Sequence, residues 1–137
     1  MTEPARPESG LLDTSVFIAS ESGRRLRTEL LPTDLVSTVI TFAELSAGAL
    51  AAHDPAARAQ RIRTLTEAAS LAILEVDTRA AEYWAELRVH LGRSGRRVNI
   101  NDLWIAAVAL ANGLPIVTQD QGFDALADFP GVTLIHV

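Results

Sequence analysis

The stretch Asn101–Asp120, NDLWIAAVALANGLPIVTQD, decides how this chain folds. From Asn101 to Asn112 it is apolar on nearly every side, and Gly113 supplies a terminator. A helix that is hydrophobic all round is buried, packed between other layers. Leu114 and Pro115 then lead into a short apolar strand, Ile116–Thr118. Two carboxylates interrupt this apolar stretch: Asp102 opens the helix and Asp120 closes the strand.

Working outward, the rest of the chain alternates strands and helices. Leu11–Val16 reads as a short buried strand ending near Asp13, followed by a helical, Arg-rich stretch that Pro32 breaks. Leu35–Thr38 is a second strand, and a helix opens at about Thr41 and runs through Glu44 towards Ala52. Asp54-Pro55 is an N-cap with proline at the first helical position. The helix behind it carries Ala59, Ile62, Leu65 and Ala69 on one face. Leu71–Val76 is a third strand. Asp77 or Thr78 caps a helix with the stripe Ala80, Trp84, Leu87 and Leu91, ended by the loop GRSGRR. Gly122–Ala127 is a short helix and Val132–Val137 the last strand. Short apolar strands separated by helices indicate an α/β fold with a parallel sheet covered on both faces.

At 137 residues the chain is long enough for one domain with a real core. Residues 1–9, rich in Pro and Glu, form a flexible tail, and residues 10–137 a single domain. No apolar run approaches the roughly 18 residues that span a bilayer, and MTEPARPESG has no signal core. Cysteine is absent, which excludes thiolate chemistry and fits a reducing, cytoplasmic location. His53, His90 and His136 have no zinc-ligand spacing. The net charge of −5 argues against a passive nucleic-acid binder, yet all 12 basic residues are Arg, nine of them in clusters at 24–27, 58–63 and 93–97.

Asp13 and Glu44 join Asp102 and Asp120 as acids set in apolar surroundings. A lone buried carboxylate costs several kcal/mol unless a partner offsets it. Taken singly, Asp13 and Asp120 also read as turn or capping residues, Asp102 as an N-cap, and Glu44 as an ordinary surface position of a helix. Jointly, acids 31, 58 and 18 residues apart fall at strand ends and helix starts, and in an open α/β sheet those positions share one rim. A carboxylate cluster without Cys favours a hard cation, Mg²⁺ with Mn²⁺ also admissible.

LLDTSVFI, TFAEL and NDLWIAAVALANGLPIVTQD, in that order and spacing, resemble the PIN domain, and more closely the VapC-type toxins of bacterial toxin–antitoxin pairs. The resemblance runs from about Leu11 to the C-terminus. It implies a three-layer α/β/α fold with a short parallel sheet of about five strands. It also implies a metal-dependent endoribonuclease inhibited by a small VapB-like antitoxin, acting on transfer or ribosomal RNA and forming a homodimer. Asp13 and Asp102 would be the principal metal ligands, completed by Glu44 and Asp120. Glu44 would bind through water or act as base. Thr14 or Ser15 and Thr118 match hydroxyl positions lining the site. Products would carry a 5′-phosphate and a 3′-hydroxyl. One departure is Gly122, where relatives often carry a further acid; Asp124 lies two residues on. Arg96 and Arg97 are the candidate RNA phosphate contacts.

Rival readings share parts of this pattern. A phosphate-receiving signalling domain wants a Lys opposite its acids, and this chain has none. An aspartyl-phosphate phosphatase wants a second Asp where Ser15 stands. A degenerate, non-catalytic module and a non-toxin PIN nuclease of RNA processing also keep the fold. The first of these would lack some of the four acids. Trp84 and Trp104 read as core or interface residues.

Overall fold

Strand β1 (Ser9–Leu12) is the central strand of a five-stranded, all-parallel sheet in the order β3-β2-β1-β4-β5. The other strands are β2 (Asp34–Thr38), β3 (Ala72–Leu74), β4 (Ile116–Thr118) and β5 (Leu134–His136). The computed structural model describes residues 7–137. Five helices connect the strands: α1 (Thr14–Glu21), α2 (Val39–Ala51), α3 (Pro55–Ala69), α4 (Thr78–Ser94) and α5 (Ile100–Ala111). None is long and apolar enough to cross a membrane.

Register explains the two cores. Leu11 pairs with Val36 and Ile116, whereas Leu12 pairs with Val117. Successive side chains leave a strand on opposite faces. Accordingly Leu11 and Ile116 pack with Leu87, Leu91 and the buried side of α5. Leu12 and Val117 pack with Val16, Phe17, Leu45 and Ala68. These are the two outer layers of an α/β/α sandwich. Gly10 is required at the crossing: a Cβ there would stand 2.7 Å from Pro32 and 2.9 Å from Val117. Leu103 and every residue from Ile105 to Leu110 are buried, as the all-apolar pattern demands. Trp84 of α4 stacks on Trp104 of α5 with centroids 5.0 Å apart and planes 18° apart.

Several boundaries differ from the sequence expectation. The first strand stops at Leu12, because Thr14–Val16 already belong to α1 and Asp13 is its N-cap. Of the expected tail, residues 1–6 lie outside the described residues. Ser9 is not tail: it pairs with Asp34 in the sheet. Helix α2 starts at Val39, since the Thr38 hydroxyl accepts from Thr41 N and caps it. Strands β3 and β5 are shorter than expected, and the helix expected over 122–127 is a 3-10 turn at Asp124–Leu126.

The buried face of α3 is also not the expected one. Ile62 is 47% exposed, and Ala59 and Ala69 are exposed as well, while Thr64 and Ala68 are buried. The Thr64 hydroxyl donates to Glu21 and the Arg61 guanidinium to the Gly48 carbonyl, so polar side chains dock this helix onto α1 and α2.

Candidate active site

The carboxyl ends of β1 and β4 lie side by side, and the strand order reverses there: the chain reaches β2 and β3 on one side of β1, and β4 and β5 on the other. That switch point opens a crevice in doubly wound sheets. Asp13 follows β1, Asp120 lies just past β4, Glu44 sits on α2 and Asp102 in the first turn of α5. All four line one pocket of about 440 Å³. Residues spread over most of the chain thus meet at a single rim.

Hydroxyl groups set where these carboxylates point. Asp13 is only 1% exposed. Its Oδ1 accepts from Ser15 Oγ at 2.6 Å and its Oδ2 from Thr118 Oγ1 at 2.9 Å. Ser15 Oγ in turn accepts from Gln119 N, which ties β4 to α1. Glu44 accepts from Thr14 Oγ1 at 2.8 Å, and Thr14 also meets Thr41 Oγ1 at 2.9 Å. The expectation offered Thr14 or Ser15; both serve, one for each acid. Asp120 Oδ1 accepts from Gly122 N at 2.8 Å.

Burial lifts the Asp13 pKa to about 7 against the hydrogen bonds from Ser15 and Thr118, with the charges of Asp120 and Asp102 adding to the rise. Asp102 is lifted to about 6, first by burial and then by Asp120 and Glu44. Asp13 and Asp102 thus both feel the charge of neighbouring acids, the condition a cation relieves.

Whether the site suits a metal ion can be judged from its donors. They are hard carboxylate and hydroxyl oxygens, and no histidine lines the pocket. Among the described residues, no three His, Asp or Glu side chains are drawn together tightly enough to hold an ion unaided. Gly122 shows where room remains. A Cβ on it would stand 3.0 Å from Asp120 Oδ1 and 3.3 Å from Asp102 Oδ2, so the missing side chain leaves a cradle between two carboxylates. Magnesium keeps several waters and takes only one or two protein carboxylates. An open, oxygen-lined cradle fits that habit.

The family assignment rests on similarity across the same elements. Residues 10–128 match the PIN domain. This chain is a PIN-domain protein. It is 54% identical to Ribonuclease VapC5 of Mycobacterium tuberculosis over 131 residues, 96% of this chain and 97% of that one. It is 39% identical to Ribonuclease VapC4 of the same organism over 124 residues, covering 90% and 95%. The crystal structure of the M. tuberculosis VapBC-5 toxin–antitoxin member superposes with a TM-score of 0.90 at 51% identity, covering 96% of this chain and all of that one. The α/β/α layering expected of a PIN fold is therefore present here.

The remaining expected site residues separate from this pocket. Asp124 does not line it; its Oδ1 meets His136 Nε2 at 3.0 Å, so it does not stand in for an acid at Gly122. The Arg96 guanidinium is held by Asp128 at 2.6 Å. It lines, with Arg97, a separate cleft beside the PIN pocket. Three pocket residues were not among the expected site residues: the apolar Ile18 and the polar Arg24 and Asn99. Arg24, just after α1, is the cation among the described residues lining the pocket, and Asn99 caps α5 through Asn101 N at 2.9 Å. The signals were present: an Arg following Gly23, and an Asn two residues ahead of an all-apolar helix.

Proposed function

We propose that this chain is a metal-dependent endoribonuclease, the toxin of a toxin–antitoxin pair, hydrolysing RNA phosphodiester bonds. The observation that carries the reading is the convergence of Asp13, Glu44, Asp102 and Asp120 on one pocket, in a chain 54% identical to a protein named a ribonuclease. The VapBC-5 complex supports a VapB-like antitoxin as partner. Transfer or ribosomal RNA as substrate, a homodimer and a cytoplasmic location complete the proposal.

In this reading Asp13 and Asp102 would be the principal ligands of Mg²⁺ or Mn²⁺ beside the Gly122 cradle, with Asp120 and Glu44 reaching it through water. A divalent cation bound there would lower the pKa of water and neutralise charge on the phosphoryl oxygens. The protein's own groups do the positioning. Ser15 and Thr118 lock the Asp13 rotamer, and Thr14 orients Glu44 to receive a proton from the attacking water. The N-terminus of α5 favours negative charge at Asp102. Arg24 at the pocket wall and the Arg96–Arg97 pair supply positive charge for RNA phosphates.

The test is cleavage of total cellular RNA by the purified protein, with and without Mg²⁺ or Mn²⁺, beside Asp13→Asn and Asp102→Asn. Discrete fragments that need metal, carry 5′-phosphate and 3′-hydroxyl ends, and vanish in both variants are expected. Cleavage leaving 2′,3′-cyclic phosphates would overturn the mechanism, and well-folded, antitoxin-free protein that cuts nothing would point to a binding module.

A further inference from the structure

The hydroxyl protons around the acidic pocket are committed to its carboxylates. Ser15 and Thr118 donate to Asp13, and Thr14 donates to Glu44. A hydroxyl has one proton to give, so none of the three also donates to a substrate. Of the side chains lining the pocket, Arg24 and Asn99 remain as donors.

Asn99 differs from Arg24 in being uncharged and held at two points. Its Oδ1 accepts from Asn101 N at 2.9 Å, and its carbonyl accepts from Leu103 N at 2.9 Å. With the amide oxygen so engaged, Nδ2 lies on the other branch of the planar group. It has no hydrogen-bond partner among the described residues. An amide donor on a fixed backbone thus shares the pocket with all four acids.

Attack by water that leaves a 5′-phosphate and a 3′-hydroxyl makes no use of the ribose 2′-hydroxyl. Such chemistry by itself hydrolyses DNA as readily as RNA. A preference for RNA therefore needs a group that touches the 2′-hydroxyl. We infer that Asn99 is that group, a specificity-determining residue whose Nδ2 donates to the 2′-oxygen of a ribose next to the scissile phosphate. The anionic phosphate oxygens are better matched by the Arg24 guanidinium. A neutral hydroxyl suits a neutral amide, which brings no charge to compete for the carboxylates. The inference rests on the ribonuclease reading above, and adds to it how the site tells one sugar from the other.

The experiment removes the amide and the hydroxyl separately and together. Asn, Ser and Gly differ little as helix caps, so Asn99→Ser and Asn99→Gly delete the amide while α5 keeps its start. Melting temperatures within about 2 °C of the parent verify this. An RNA spanning a mapped cut is made with a single 2′-deoxyribose on one side or the other of the scissile phosphate. In the parent protein one of these substitutions should slow cleavage about tenfold, as loss of one hydrogen bond does. In both variants the same substitution should slow it by less than about twofold, because the donor is already gone. A second readout does not depend on cleavage. Hexamers of uridine and of 2′-deoxyuridine are titrated into the protein in Ca²⁺, a cation that also takes oxygen ligands. The Asn99 side-chain amide signals in NMR, identified by their loss in Asn99→Gly, should move with the ribose hexamer and stay put with the deoxyribose one. A deoxyribose penalty equal in parent and variants, or equal amide shifts with both hexamers, would overturn the inference. A parent protein that cuts no RNA would instead sink the ribonuclease reading, with the amide shifts still deciding what Asn99 recognises.

Discussion

Four helices of this chain begin at or within a turn of an aspartate, and they divide into two kinds. At α3 and α4, Asp54 and Asp77 turn a carboxylate oxygen onto the backbone, accepting from Ala57 N at 3.0 Å and Ala80 N at 2.9 Å. At α1, Asp13 occupies the cap position yet makes no capping bond, its oxygens going to Ser15 and Thr118. At α5, Asn99 does the capping and leaves Asp102 to the pocket. The outer aspartates start helices; the rim aspartates are relieved of that task. The contrast separates capping acids from pocket acids more sharply than burial alone, because Asp102 is only half-buried.

The largest test of this contrast is the exchange Asp→Asn at the rim. Asp102→Asn should lower metal-dependent cleavage by more than about 100-fold, the equivalent of about 3 kcal/mol or more of lost charge stabilisation. In chelator at neutral pH its thermal midpoint should be no lower than that of the parent protein, because the ionised Asp102 opposes folding there. A variant that keeps its cleavage rate would erase the distinction between the two kinds.

Asp13 provides an effect of comparable size, in stability rather than rate. Its pKa in the folded protein, about 7, is above the ordinary 3.8, so the folded state prefers the protonated acid. In chelator, stability should be fullest below about pH 4 from this group and fall as pH rises through about 7, by up to roughly 4 kcal/mol. Asp13→Asn should flatten that slope and leave the metal-free protein more stable at pH 8. Urea midpoints across the range measure both, and an unchanged slope in the variant would contradict the assignment.

Asp77→Ala, on the other side of the contrast, should cost about 1 kcal/mol by loss of the cap, lowering the melting temperature by a few degrees with cleavage intact. Smallest of all, Asp54→Asn should change stability by no more than a few tenths of a kcal/mol, because Asn caps as well as Asp. A cleavage defect in either would mean that outer acids reach the chemistry.

The legibility of the molecule follows the strength of local signals. Helix α5 was readable because an all-apolar run has one physical outcome, and its boundary moved by a single residue. Asp54-Pro55 was readable because cap and proline agree. The face of α3 was not, since Thr64 is buried only by virtue of Glu21, a partner 43 positions away. Leu11–Val16 reads equally well as strand throughout; only the turn at Asp13 divides it. Among site residues, the four acids stood out by their apolar surroundings. Arg24 and Asn99 come from connecting segments whose path no periodicity describes. The pinning of Arg96 by Asp128 and of Asp124 by His136 likewise depends on tertiary neighbours.

The Trp84–Trp104 stack carries a consequence for spectroscopy. These are the only two indoles in the chain, and with ring centres 5.0 Å apart their transitions couple. Near-ultraviolet dichroism and intrinsic emission therefore report the seam between α4 and α5, next to the arginine-lined cleft, and are nearly blind to α1, α2 and α3. An optical melting curve of this protein records one layer of the sandwich, and a probe of backbone structure is needed to learn whether the other layer melts with it.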